Sequence, residues 1–238
     1  MLSNHRLVRR TARSSSRGGF TLVELLVVIG IIAILAGVAL GPITNGIKQA
    51  QHNAAMQTGR QIGQMCFSYA TDNTQNGNQY PADVSGMAIC QDLLNSNYAS
   101  DPNAFGIAQQ SGYTKPISAG NGTQLVQSNV SWSFTCVNAA AAPAGAGLTS
   151  TASDLTPLVY FNNGFGVSIP APFPAVAGTP KNVTLTAAAP FGTDGIAVFY
   201  KGNNATYLKS GTNGQPLGTV YSFISPNDTD ATAYVIAP

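Results

Sequence analysis

The sequence predicts an α+β protein, one long N-terminal helix followed by an antiparallel β-sheet. Two patterns carry that prediction. An apolar run from Phe20 to Leu40 leads, across a single Gly41-Pro42 step, into a segment over 43–70 whose apolar residues recur at helical spacing. Beyond residue 130 the pattern changes to short stretches rich in Val, Ile, Phe and Tyr, separated by Gly, Pro and Asn. Composition narrows the function classes. Only 8% of the 238 residues are charged, against about 25% in an average soluble domain, which disfavours an ordinary cytosolic enzyme. A formal charge of +2 disfavours a strongly basic nucleic-acid binder, and 10 Phe with 9 Tyr argue against disorder.

The charge is divided unevenly. Residues 1–19 carry Arg6, Arg9, Arg10, Arg13 and Arg17 and no acid, a charge of +5, while residues 20–238 carry −3. A basic head before an apolar run reads as a membrane-targeting signal, because Lys and Arg stay on the cytoplasmic side. The 21 residues Phe20–Leu40 make a helix of about 31 Å, one hydrocarbon thickness. Inside the run lies Glu24, the only glutamate of the chain. A carboxylate in a membrane helix is expensive and normally has a partner or a task. Two plainer readings compete. An uncleaved anchor would let Glu24 snorkel at the helix start. A secretory signal peptide cut near Gly37-Val38-Ala39 would have to accept Glu24 at the mouth of its apolar region, and it leaves Gly18-Gly19 without a role.

The stretch Arg17-Gly18-Gly19-Phe20-Thr21-Leu22-Val23-Glu24-Leu25-Leu26-Val27-Val28 resembles the processing motif of type IV pilins and type II secretion pseudopilins. The resemblance implies cleavage of a basic leader between Gly19 and Phe20 by a prepilin peptidase, N-methylation of Phe20, and Glu24 as the fifth mature residue, used in assembly. The residues make physical sense of this. Gly19 leaves the scissile backbone unhindered. Removing five arginines frees a helix end they would otherwise pin at the cytoplasmic interface. The new Phe20 ammonium lies about 6 Å of helix rise from Glu24, so in a staggered bundle the carboxylate of one subunit neutralises the ammonium of its neighbour. That pairing favours assembly in one register. Gly30, Ala33, Gly37 and Gly41 are small enough for close helix approach, although Gly and Ala are common in membrane helices anyway. Gly41-Pro42 marks an expected kink or local melting.

In residues 43–70, Ile47, Ala50, Ala54, Thr58, Ile62, Met65 and Tyr69 define an apolar stripe, with Lys48, His52 and Arg60 off it. The expected organisation is a leader over 1–19, a transmembrane and assembly half of the helix over 20–42, an amphipathic half over 43–70, and an extracytoplasmic region over 71–238. The helix stops at the turn-rich 71–78. The passage Tyr69-Ala-Thr-Asp72-Asn73 … Tyr80-Pro81 is similar to the one that follows the helix in major pseudopilins. A short helix is expected over 83–97 and mostly loop over 98–130. Strands are expected at Ser131–Val137, Leu158–Phe161, Val183–Ala187, Gly195–Tyr200, Ala205–Lys209, Thr219–Ile224 and Tyr234–Ile236, with Lys201–Asn204 turning a hairpin. Ala139–Gly147 and Pro170–Pro180 read as low-complexity and proline-rich crossings. The sheet is expected to be covered on one face by the helix, the pilin-like arrangement.

No catalytic, cofactor-binding or metal-ligating set emerges. His52 is the single histidine after the leader and reads as a solvated surface residue. Asp72, Thr74, Asn76, Gly77 and Asp83 only superficially follow calcium-loop spacing, and Asp194, Asp228 and Asp230 do not match the C-terminal calcium loop of major pseudopilins. Cys66, Cys90 and Cys136 are odd in number. In an oxidising exterior a Cys90–Cys136 bridge is preferred, because Cys66 sits on the helix; the alternative is three small buried hydrophobes. The expectation is a structural subunit and not an enzyme. It needs no cofactor and binds no nucleic acid, because the mature chain keeps only six basic residues. Its partners are prepilin peptidase, other pilin-like subunits, the inner membrane and a secretion or pilus assembly platform. The N-terminus is cytoplasmic and the C-terminal region periplasmic or extracellular. A type II pseudopilin is the first reading, a type IV pilin for adhesion or motility the second, and a monomeric anchored or secreted binding protein the third.

Overall fold

A computed structural model of the chain describes residues 19–83, 85–107, 114–115, 124–137, 147–162, 167–168, 181–224 and 233–236. The chain divides into two compact units, Met1–Lys48 and Gln49–Pro238. Helix α1 runs over Leu22–Asp72, 51 residues, with Pro42 inside it. In the first unit every described side chain is exposed, and the most apolar stretch reaches a mean hydropathy of 2.8. The expected melting at Gly41-Pro42 is not seen in the isolated chain, where both residues are helical. Pro42 removes one backbone donor and no more, and the Thr44 hydroxyl donates to the Gly41 carbonyl at 2.9 Å.

In the second unit the helix is followed by α2 (Gly86–Asn95) and eight strands. These are β1 (Trp132–Val137), β2 (Pro157–Phe161), β3 (Val167–Ser168), β4 (Lys181–Leu185), β5 (Gly195–Tyr200), β6 (Asn204–Lys209), β7 (Thr219–Ile224) and β8 (Ala233–Ile236). The seven expected strands are present within two residues at each end; β3, only two residues long, was not expected. Ser85 starts α2 by accepting the Ala88 amide at 3.1 Å. Ala139–Ala146 and Pro170–Pro180 lie outside the described residues.

The expected single sheet is two antiparallel sheets, one five-stranded in the order β6-β5-β2-β1-β8 and one three-stranded in the order β3-β4-β7. The five-stranded sheet is covered on both faces, not one. On one face Trp132, Phe134, Cys136, Phe161, Ala197 and Phe199 share a core with Ala55, Ile62, Cys66 and Ala70 of α1 and with Ile89, Cys90 and Leu93 of α2. On the other, Tyr160, Ile196 and Val198 pack with Val183, Leu185 and Val220 of the small sheet. Burial on both sides explains the uninterrupted runs Pro-Leu-Val-Tyr-Phe in β2 and Ile-Ala-Val-Phe in β5, buried at every position. A strand with one wet face would alternate.

The expected stripe on the second half of α1 is rotated. The buried positions are Ala55, Gly59, Ile62, Gly63, Cys66 and Ala70, and Ala50 and Ala54 are exposed. Small residues mark the contact because the helix lies so close to the sheet. A Cβ on Gly59 would come within 3.0 Å of the Trp132 ring, and one on Gly63 would overlap the Phe199 ring.

Candidate processing and assembly site

The N-terminal site is built from local chemistry. Gly19 and Phe20 precede the helix in extended, exposed chain. Nothing lies within 4 Å of the Cβ position of Gly19, so the bond after it is open to an attacking enzyme. Thr21 begins α1 as a capping box. Its hydroxyl accepts the Glu24 amide at 3.2 Å, while its own amide and hydroxyl each donate to Glu24 Oε2 at 2.9 Å. The helix end, whose first amides have no intrahelical partner, is thereby closed by the same carboxylate that the sequence marks as an assembly residue. Glu24 Oε1 accepts no bond among the described residues, which leaves one lone-pair face for a second donor. Sequence reasoning missed this double use, although Thr-x-x-Glu before an apolar run is its signature.

The remaining singled-out residues lie in the second unit. His52 is half-buried, not solvated. Its ring stacks on Tyr207 of β6 at 3.8 Å between centroids and meets the edge of Phe191 at 4.7 Å. The rotation of the buried face is the reason: His52 stands one turn before Ala55 and shares its side of the helix. Burial and the Asp194 field push the Tyr207 hydroxyl up.

The three cysteines are buried thiols, one from each of α1, α2 and β1, in the same core, and no Cys90–Cys136 bridge is formed. Burial raises all three, Cys136 to about 12, so little reactive thiolate exists at neutral pH. Asp72 accepts the Tyr98 hydroxyl at 3.1 Å. Thr74–Asn76 form a 3-10 turn ended by Gly77 at φ 75°. Among the described residues no three His, Cys, Asp or Glu side chains gather closely enough to hold a metal ion. Asp228 and Asp230 lie outside the described residues.

A capped, exposed apolar helix behind an unhindered glycine is a prepilin-type N-terminus. Residues 14–40 match the prokaryotic N-terminal methylation motif, the hallmark of type IV pilin and pseudopilin signals. The chain is a type IV pilin-like protein in this sense, and the motif implies processing by a prepilin peptidase and assembly with other pilin subunits. One long apolar helix fits a single-pass membrane anchor. No curated protein and no solved structure matches the chain.

Proposed function

We propose that the protein is a structural subunit of a pilus-like filament, cut between Gly19 and Phe20, methylated on the Phe20 amine and incorporated through Glu24. The methylation motif carries this reading. The exposed apolar face of residues 22–47 supports it, because such a surface needs lipid or neighbouring helices to cover it. The five leader arginines keep the N-terminus in the cytoplasm and direct the region after the helix outward. Within the class, the Tyr69-to-Pro81 passage favours a type II secretion pseudopilin over a type IV pilin, with the inner-membrane assembly platform as its partner. A structural role follows, without catalysis.

The test is the N-terminal residue and mass of the protein from native membranes. Phe20 carrying one methyl is the expected result; a start near Leu40 would mean ordinary signal-peptide removal and overturn the reading. Loss of extracellular cargo with surface fibres unaffected in a deletion strain is expected of a pseudopilin. The reverse pattern would identify a pilin.

A further inference from the structure

Two features of the Gln49–Pro238 unit complement each other. The first is a hollow of about 270 Å³ between α1 and the β5–β6 turn, floored by Tyr80, Leu158 and Phe199 and rimmed by Gln64, Phe67 and Lys201. That is below the roughly 300–1,000 Å³ of pockets that take a drug-sized ligand, and it suits a single aliphatic side chain. Phe67 stands at its edge 59% exposed, the one large aromatic so exposed among the described residues of this unit. Lys201 is held on the rim by Asp154 at 3.1 Å.

The second feature is the loop between β6 and β7. It is closed by Gly211 N–H to the Thr219 carbonyl at 3.1 Å, Gln215 N–H to Thr212 at 3.1 Å and Thr219 N–H to Pro216 at 3.0 Å. The Gly218 amide donates to the Ser210 hydroxyl at 3.2 Å. Gly211 and Gly218 adopt φ of 68° and 88°, which lets the loop fold back this tightly. On this fastened loop Leu217 is 74% exposed.

Hollow and leucine sit at opposite ends of one strand. The turn that borders the hollow, Lys201–Asn203, enters β6, and the Leu217 loop leaves it at Ser210. Six extended residues separate the two ends by about 20 Å, so they cannot meet within one chain. Between copies, an apolar protrusion and a pocket elsewhere on the same surface make a heterologous contact, which repeats head to tail without closing.

We propose that Leu217 of one copy seats in the Phe67-edged hollow of a second copy, joining neighbouring subunits outside the membrane helix. The proposal rests on the filament reading and gives that filament a specific lateral joint.

The test introduces Gln64→Cys and Leu217→Cys together in the full chain, produced in cells with its prepilin peptidase and treated with a copper–phenanthroline oxidant. Sheared filaments of the wild type are pelleted in parallel. A ladder of disulfide-linked multimers, absent from either single variant, is the expected result. Filaments without a ladder overturn the contact and leave the filament reading standing. A ladder without wild-type filaments keeps the contact and removes the filament reading, and the absence of both removes both. As a second measurement, Leu217→Ser changes an exposed side chain, so its melting temperature should match the wild type while filament yield falls about tenfold, as for a central interface anchor. Unchanged yield would overturn the proposal.

Discussion

Glu24 is asked to do two things in an apolar helix, and Thr21 is what allows it. With Oε2 taken by the Thr21 amide and hydroxyl, the carboxylate is partly satisfied before any neighbour arrives, and its orientation is set. Thr21→Val removes the hydroxyl and keeps the shape, so it should cost about 1 kcal/mol of helix-end stability. Filament yield should fall, and Thr21→Ser should restore it; equal yields for Val and Ser would show that the cap has no part in assembly. Glu24→Ala should leave cleavage at Gly19 intact and abolish incorporation, read by mass spectrometry of the membrane fraction beside pelleting of sheared filaments. Normal assembly of that variant would refute the charge-pairing role. In the second unit, burial and the adjacent Asp83 carboxyl raise Asp92 above its ordinary 3.8. The native state then keeps a proton that the unfolded chain has lost, so stability falls as pH rises through that interval and the penalty is complete above it. Asp92→Asn should therefore melt higher than wild type at neutral pH and lose the advantage below about pH 4, checked by melting curves across that range.

At the scale of elements, α1 changes character along its length. Its first half exposes branched aliphatic side chains on every side, while its second half offers the sheet a notch of Ala, Gly and Cys. The apolar period over 43–70 was legible as a helix, but the buried face was not. Large residues such as Ile47 and Tyr69 drew the stripe towards themselves, whereas the contact selects for the absence of side chains at Gly59 and Gly63. His52 was misplaced for the same reason. Gly63→Ala should destabilise the protein by about 1–3 kcal/mol through overpacking against Phe199. Thermal unfolding of the full chain in detergent tests this, and an unchanged melting temperature would mean that the ring has room to move. The strands were legible because β-branched and aromatic runs between turn residues survive any arrangement of the sheet.

For the whole molecule, the thiols report cooperativity. Cys66, Cys90 and Cys136 come from three elements that share one core, so they should resist alkylation in the native protein and become reactive together on global unfolding. Counting labels in denaturant without reductant also tests the bridge proposed between Cys90 and Cys136: three labels mean three thiols, and one label means a bridge. Label entering the native protein at only one cysteine would show that the core opens in parts. By itself the sequence determined the N-terminal region of this protein. The basic leader, the glycine, the lone glutamate and the apolar helix act through local chemistry and through transfer into lipid, both of which are properties of consecutive residues. It also determined where most strands lie, since strand propensity is local. Only the tertiary structure decided that the five-stranded sheet is buried on both faces, that α1 meets it through glycines, that His52 is stacked, and that a hollow and an exposed leucine stand at opposite ends of β6. Those features depend on which surfaces, distant along the chain, come within contact distance, and no local pattern encodes that.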